Sequence, residues 1–363
     1  MAHPLLFDLY PEVAGTIPWV PLGTFPTPVE RLTQLGEKLE YPDLWVKRDD
    51  LSSDKMGGNK VRVMEFLLAE AKAQGKTRAI SPGALGSNQI MASAIYGNQL
   101  GIDIIGIFFK QCDTDYMRKH MLVDRSMGVK FHYVNNPYLI LFYIFYYYLR
   151  YTNWKKMEGP FYIPTFGSSA TCTLGYINAM IELKHQIDAG EMPEPDIIFV
   201  TAGTGGTMAG IEFGARALNL KSKVVGVRIA DYVATNEIML KSILHRAYKH
   251  MRKAGAQVPR LKWKRKDITL IHDYFGGEYA KITPEALAAK KTCHELDGIT
   301  LDTTYTAKTM AAMIEYLTAN DLRDKTILFW HTYNTRDLSP FLNESIDYRT
   351  LPEEFHPYFM NSF

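Results

Sequence analysis

Cysteine is scarce in this chain: Cys112, Cys172 and Cys293 are the only three in 363 residues. An odd set with no close spacing excludes a disulfide framework and a cysteine-based metal site, so no metal is expected and a reducing cytoplasm suits the protein. An excess of one charge is missing as well. Lys and Arg total 41 against 39 Asp and Glu, a formal net charge of +2. That balance gives no reason to expect nucleic acid or an anionic membrane as the main partner, and a small molecule is the expected one. Long apolar runs are also lacking: the most apolar stretch, Tyr138 to Tyr151, falls short of the about 20 residues a bilayer span needs. The start, Met-Ala-His-Pro-Leu-Leu-Phe-Asp8, has an acid inside its apolar part and no basic lead, so no export is expected. What is abundant is core material. Hydrophobic residues make up 47% of the chain, enough for two domains with well-filled interiors.

Short apolar runs alternate with helical patterns. Val61–Lys72 and Gln89–Leu100 repeat apolar positions at helical spacing, whereas Arg78–Ser81 and Ile102–Phe109 read as strands. Asp196–Thr201, Lys223–Ile229 and Thr326–Phe329 read as further strands, and Met208–Leu218 as a helix. Strand, turn and helix in repeated order predict an α/β fold with parallel sheet covered on both faces and sites at the carboxyl ends of the strands. Tyr138–Tyr151 is apolar or aromatic nearly all round. A buried helix is the plainer expectation, and an exposed aromatic face for subunit contact the sharper one. The basic stretch Lys241–Lys266 is expected to be a solvated helix face and loop, because only Tyr248 and Trp263 interleave with its cations.

Chemistry concentrates in glycine-rich loops. Gly57-Gly58-Asn59-Lys60 precedes a helical pattern, which lets an amine project from a loop, although the same residues would serve as an ordinary turn. Ser81-Pro-Gly-Ala-Leu-Gly-Ser-Asn-Gln89 brings Ser87, Asn88 and Gln89 to a helix start, where they suit either a carboxylate clamp or a helix cap. The third loop, Thr201-Ala-Gly203-Thr204-Gly205-Gly206-Thr207, follows a strand. Met208 stands where the third glycine of a dinucleotide fingerprint would be, and the Lys-Ser/Thr ending of a nucleoside-triphosphate loop is missing. What remains is an anion nest sized for one phosphate. An amine that bonds an aldehyde, together with a nest that holds a phosphate, is what pyridoxal 5'-phosphate requires. Gly276-Gly-Glu-Tyr279, Asp302-Thr-Thr-Tyr305-Thr306-Ala-Lys308 and Trp330-His-Thr-Tyr-Asn-Thr335 add further polar groups, each of which alone reads as a buried, hydrogen-bonded side chain.

In order and spacing these motifs resemble the pyridoxal-phosphate enzymes of the tryptophan synthase β-like fold, specifically the D-cysteine desulfhydrase and 1-aminocyclopropane-1-carboxylate deaminase family. Lys-Arg-Asp-Asp50, Gly-Gly-Asn-Lys60 with Arg62 and Glu65, Gly-Ser-Asn-Gln89, Gly-Ser-Ser169 with Gly-Tyr176, the phosphate turn, Asp302–Lys308 and His331-Thr332 fall in family order over nearly the whole chain. The resemblance implies that Lys60 bonds the cofactor aldehyde, that the backbone of Gly203–Thr207 binds its phosphate, and that Asn59, Asn88, Thr306 and Thr335 complete the cofactor site. Ser87, Asn88 and Gln89 are implied to hold the substrate carboxylate, with Ser87, Tyr279 and Tyr305 beside Lys60 in the catalytic set. A large cofactor-binding domain of residues 1–61 and 169–363, a small inserted domain of 62–168, an amino-acid substrate and a homodimer are implied too.

Within that family, Thr306 and Thr335 look like the desulfhydrases, since deaminases resemble one another in having glutamate and tend to have leucine there. Gln89 looks like the deaminases. A hydroxyl rather than a carboxylate at the ring nitrogen implies a milder electron sink. The expected activity is α,β-elimination of D-cysteine or a related β-substituted alanine to pyruvate, ammonia and sulfide. Deamination of aminocyclopropane carboxylate, or non-catalytic binding of cofactor or amino acid, are the alternatives. The chain departs from its relatives at Val63, where they carry a lysine near the phosphate that Arg62 is the candidate to replace. It departs again at Ala84–Gly86 and at Tyr333 and Asn334, where relatives show paired glycines, and these changes suit an altered substrate pocket.

Overall fold

The computed structural model describes residues 3–114, 116–136, 139–164 and 169–360; Tyr138, Gly167 and Ser168 of the segments above lie outside the described residues. The strands are β1 (Val29–Arg31), β2 (Leu44–Arg48), β3 (Arg78–Ala84), β4 (Asp103–Phe109), β5 (Lys130–Val134), β6 (Phe161–Tyr162), β7 (Ile197–Ala202), β8 (Lys223–Arg228), β9 (Thr269–Ile271) and β10 (Ile327–His331). The helices are α1 (Leu5–Leu9), α2 (Thr33–Leu39), α3 (Asn59–Ala73), α4 (Asn88–Gln99), α5 (Met117–Ser126), α6 (Ile140–Tyr151), α7 (Ala170–Asp188), α8 (Gly206–Ala217), α9 (Glu237–Lys253), α10 (Pro284–Asp297), α11 (Thr306–Ala319) and α12 (Pro357–Met360). The chain divides into two compact units, one of residues 1–66 and 166–336, the other of 67–165 and 337–363.

In the first unit the strand order is β1-β2-β10-β7-β8-β9, parallel throughout except for β1 against β2. Both faces of the sheet are covered, which is why β7 and β10 are buried along their whole lengths. Their side chains alternate between two cores. Ile198, Val200, Leu328 and Trp330 pack with Met180, Met208 and Phe213 of α7 and α8, whereas Ile197, Phe199, Ile327 and Phe329 pack with Ala289, Met310 and Met313 of α10 and α11. The carboxyl ends of β2, β7 and β10 therefore lead straight into Asp49-Asp50, the Gly203 turn and the Thr332 loop.

The second unit holds four parallel strands in the order β5-β4-β3-β6. β3 runs on through Pro82 to Ala84, beyond the strand expected from sequence. β6 pairs only with Ala79 and Ile80, so at Pro82 the sheet continues on the β4 side alone and the missing N–H costs no ladder bond. Residues 337–360, which the sequence reading kept with the large domain, group with this unit. Phe355 packs edge-on against Phe108 and Phe131 at 5.7 and 5.2 Å, and Arg118 Nε donates to the Tyr358 carbonyl at 2.6 Å.

The aromatic helix α6 is not buried. Tyr143, Ile144, Tyr147 and Tyr151 pack on the cluster of Ile105, Ile107 and Val134, while Leu141, Phe142, Phe145 and Tyr146 stand in solvent. A buried helix fails as an expectation because only one face of α6 meets the sheet. The basic stretch behaves as expected, its cations largely on the surface of α9 and the following loop. Trp263 is buried and stacks on Phe213 at 5.8 Å, so it is not offered to a nucleobase. Among the described residues no helix is long and apolar enough to cross a membrane.

Beneath the start of α3 lies a buried ion network. Arg62 donates to Asp49 Oδ1 at 2.7 Å, to Glu182 Oε2 at 2.9 Å and to Thr27 Oγ1 at 3.0 Å. Lys47 donates to Glu182 Oε1 at 2.6 Å and to Gln186 at 2.5 Å, and the Tyr176 hydroxyl and Trp330 indole close the second oxygen of Asp49 at 2.7 and 2.8 Å. Replacing Glu182 with alanine leaves Arg62 and Lys47 short of a carboxylate in the interior and is expected to destabilise the protein by about 3–5 kcal/mol in denaturant titration. Burial raises the Glu182 carboxyl, but Arg62 and Lys47 outweigh it and hold it at about 2. Against an unfolded value of ~4.3, its contribution to stability is present above that pH and is lost as pH falls through about 2. A Glu182→Gln variant should show a smaller acid-induced fall in denaturation midpoint than the wild type.

Candidate active site

The loop carrying Lys60 is stapled to the loop after β10. The Asn59 N–H donates to the Thr332 carbonyl at 3.0 Å, and the Gly57 N–H donates to Asn334 Oδ1 at 2.8 Å. Both glycines are dictated by this approach: a side chain at Gly57 would collide with the Asp50 carbonyl, and Gly58, at φ +87°, would place one 2.7 Å from the Thr332 oxygen. Lys60 follows as the second residue of α3, half-buried. Burial lowers its amine below the usual lysine range, partly offset by the nearby Cys172.

The Gly203–Thr207 turn joins β7 to α8. Gly205 caps α8 at φ +86°, where a side chain would press on Leu240 at 2.6 Å, and no side chain caps the first N–H groups of the helix. Gly203 accepts a hydrogen bond from the Thr235 hydroxyl, and Thr204 is half-buried beside it. Asn59 Nδ2 donates to Thr207 Oγ1 at 3.1 Å. That one bond brings the lysine loop and the anion nest of the sequence reading together within a single unit.

Tyr305 lies 3.7 Å from where a Gly203 side chain would begin, and its hydroxyl is hydrogen-bonded to that of Tyr279, the rings edge to face at 6.2 Å. Burial pushes the Tyr279 phenol up to about 12 in spite of the Tyr305 bond, so at neutral pH it keeps its proton. Thr306 opens α11, which is anchored to the end of β7 by the Thr309–Thr201 hydroxyl pair at 2.6 Å. Its own hydroxyl donates to Asp302 Oδ1 at 2.7 Å and accepts the Asp302 N–H at 3.0 Å. Thr335 donates to Asp50 Oδ2 at 3.2 Å, and Asp50 is held from the other side by Arg48 at 2.8 Å. His331 is buried at the end of β10, 3.9 Å from Asp50, with burial lowering its pKa.

Ser87, Asn88 and Gln89 stand at the N-terminus of α4 in the second unit. Ser87 caps the helix by accepting from the Ile90 N–H at 3.3 Å, as one of the two sequence readings expects. Gln89 donates to the Pro164 carbonyl at 3.1 Å. The side-chain oxygen of Asn88 is buried without a hydrogen-bond partner among the described residues. A buried polar atom with no partner of its own points to a ligand.

Two residues named from sequence take roles the sequence does not reveal. Asp302 organises the start of α11, a role signalled only by an acid ahead of a helix. Asn334 ties down Gly57, and nothing in its sequence surroundings announces that. Arg62 does not replace the lysine missing at Val63, because its guanidinium is directed inward to Asp49 and Glu182.

The profile described as "Pyridoxal-phosphate dependent enzyme" matches residues 20–332. A Pyrococcus horikoshii protein provisionally named 1-aminocyclopropane-1-carboxylate deaminase is 30% identical over 91% of this chain and 94% of its own length. The D-cysteine desulfhydrase of Klebsiella pneumoniae strain 342 is 31% identical over 85% of this chain and 91% of its own. A crystal structure of an ACC deaminase homologue superposes with a TM-score of 0.74 at 28% identity, covering 91% of this chain and 95% of that one. The chain belongs to the family of pyridoxal-phosphate dependent enzymes, with the tryptophan synthase β-like fold and the lyase chemistry of its relatives. Within the first unit its residues fit the cofactor on structural grounds: a lysine whose loop is tied to the Gly203 turn through Asn59 and Thr207, and glycines at Gly57, Gly58 and Gly205 where a side chain would collide.

Asn334→Ala leaves the buried Gly57 N–H without an acceptor. It is expected to cost about 1–3 kcal/mol in urea unfolding and to speed loss of cofactor on dialysis, read from residual visible absorbance.

Proposed function

We propose that the protein is a lyase acting on D-cysteine or a related β-substituted alanine, converting it with water to pyruvate, ammonia and hydrogen sulfide or another leaving group. The observation that carries this reading is the hydrogen-bonded Tyr279–Tyr305 pair beside the Gly203 turn, a proton donor for a departing thiolate. Bound pyridoxal phosphate supplies an electron sink for the pair left when the substrate's Cα–H bond breaks. Lys60, Asn59, Asn88, Thr306, Thr335 and the backbone of Gly203–Thr207 would hold that cofactor. Lys60 Nζ, its basicity moderated by burial, takes the α-proton. Ser87, Asn88 and Gln89 bind the substrate carboxylate at the start of α4, where the helix dipole favours an anion. With no cationic side chain supplied at Val63, the phosphate relies on the N–H groups of the turn and the N-terminus of α8.

The Pyrococcus horikoshii relative and Gln89 favour a second reading, ring opening of aminocyclopropane carboxylate. Sulfide with pyruvate marks the first activity, and 2-oxobutyrate the second. Lys60→Ala is expected to remove the visible absorbance of the attached cofactor and to lower turnover on either substrate by at least about a thousandfold; a variant that kept its turnover would remove Lys60 from the mechanism.

We also propose that two copies associate through α6 and the turn after it, and that the protein works in a reducing cytoplasm. Leu141, Phe142, Phe145, Tyr146, Trp154 and Met157 each keep between 44% and 74% of their surface in solvent. At about 200 Å² per side chain, that is roughly 700 Å² per copy, close to the ~800 Å² per partner of a standard interface. A Phe142→Ser, Phe145→Ser variant should elute as a monomer in light-scattering chromatography where the wild type is a dimer. An unchanged dimer would move the interface elsewhere.

A further inference from the structure

We propose that Gln111 and His120 are positioning residues for the substrate carboxylate: they hold both backbone polar groups of Gly86 and so fix the turn that sets Ser87, Asn88 and Gln89 at the start of α4. The inference rests on the reading of that helix start as the carboxylate site and goes beyond it by naming what keeps the site in shape.

Gly86 lies in the Ala84–Gly86 stretch where the chain departs from its relatives, between the end of β3 and the cap of α4. Its N–H donates to Gln111 Oε1 at 3.1 Å, and its carbonyl lies 3.1 Å from His120 Nδ1. All three residues are buried. Each contact has one possible direction. A backbone N–H only donates, so the amide oxygen of Gln111 faces it; a carbonyl only accepts, so His120 carries its proton on Nδ1. Burial lowers the His120 pKa to about 4, which keeps the ring neutral at physiological pH. A side chain at residue 86 would begin 3.0 Å from the Gln111 amide nitrogen and 2.9 Å from the Tyr116 ring, so glycine is what lets the clamp close.

The two clamping groups come from separate elements. Gln111 follows the end of β4, where the Phe109 carbonyl also accepts the Leu85 N–H at 3.1 Å. His120 is on α5, which is tied down by the C-terminal segment: Lys119 reaches Asp337 at 3.0 Å, Arg118 donates to the Tyr358 carbonyl at 2.6 Å, and Ser126 Oγ accepts the Asn343 N–H at 3.1 Å. A strand end and an anchored helix thus hold the peptide units on either side of Gly86, and moving the turn would break buried hydrogen bonds. Ser87 takes the Ile90 N–H, while the N–H groups of Asn88 and Gln89 find no acceptor among the described residues. Those two groups are what a carboxylate at this helix start would meet. Gln111 and His120 act on where they stand, not on the chemistry. Their loss weakens the binding of substrate and transition state alike, which raises KM and spares kcat.

The test is steady-state kinetics of the loaded enzyme on whichever of D-cysteine and aminocyclopropane carboxylate it turns over, since both present a carboxylate. Gln111→Met and His120→Phe should raise KM about tenfold, with kcat within about twofold and the visible cofactor absorbance unchanged. His120→Asn, whose amide nitrogen falls near the place of Nδ1, should bring KM back to within about twofold of the wild type; a loss of packing alone would not be rescued by the smaller side chain. Residue-resolved hydrogen–deuterium exchange on the wild-type holoenzyme needs no variant, and the Gly86 N–H should exchange at least about a hundredfold more slowly than in an unstructured chain. An unprotected Gly86 N–H overturns the inference, as does an unchanged KM in both loaded variants or a fall in kcat with KM kept. Should neither variant fold, the exchange rate decides alone. A wild-type holoenzyme that turns over neither compound and shows no absorbance change with either overturns the carboxylate reading of α4, and this inference with it.

Discussion

The arrangement around Lys60 depends on where Arg62 goes. Residues two apart on a helix point to opposite sides, so fixing one fixes the other's direction. Arg62 is drawn into the interior by Asp49 and Glu182. Lys60 is left to point away from that network. Two cations and two carboxylates balance there, with Lys47 completing the count. Replacing such a buried cluster by well-packed apolar side chains is often neutral or stabilising, so its value here is directional. It locks β2, α3, α7 and β10 into one register through atoms that tolerate little displacement.

Backbone contacts complete what the charges begin. Gly57 and Gly58 let the chain pass against the carbonyls of Asp50 and Thr332, closer than any side chain would permit. Asn334 then accepts the Gly57 N–H and the Arg336 N–H with the same oxygen. The residue that looked like a departure from the family is thus part of the support for the lysine loop. Asn59 carries the support on to Thr207, so the amine and the anion nest are held by a continuous chain of hydrogen bonds rather than by proximity alone.

Much of this was legible in the sequence because it is written in local patterns. The parallel sheet follows from apolar runs alternating with helical periods, and the Gly203–Thr207 strand-to-helix turn from glycines placed after such a run. The lysine loop was legible as a loop, but its stapling to Thr332 and Asn334 was not, since those partners are some 270 residues away and an asparagine after a strand has many uses. Arg62 was misread for the same reason: a cation beside a phosphate loop and a cation beneath it look alike in one dimension. Pro82 misplaced the end of β3 because only the pairing pattern reveals that its β6 side is unpaired by that point. The aromatic α6 misled toward burial because composition does not reveal how many neighbours a helix has.

The assignment of chemistry from residue type faces the same difficulty at Thr306. A side chain's effect on a bound ring is set by which way its proton points, and that is decided by a third group three or four residues off. Where a glutamate contacts a ring nitrogen directly, charge and contact reside in one residue. Here the Thr306 hydroxyl gives its proton to Asp302, so charge and hydroxyl are divided across one turn of backbone. Tyr279 and Tyr305, legible in the sequence only as two separate tyrosines, likewise become one group through the hydrogen bond their hydroxyls share. Burial keeps the Tyr279 phenol protonated, and its hydrogen bond ties it to Tyr305, a pairing that two tyrosines 26 positions apart do not announce.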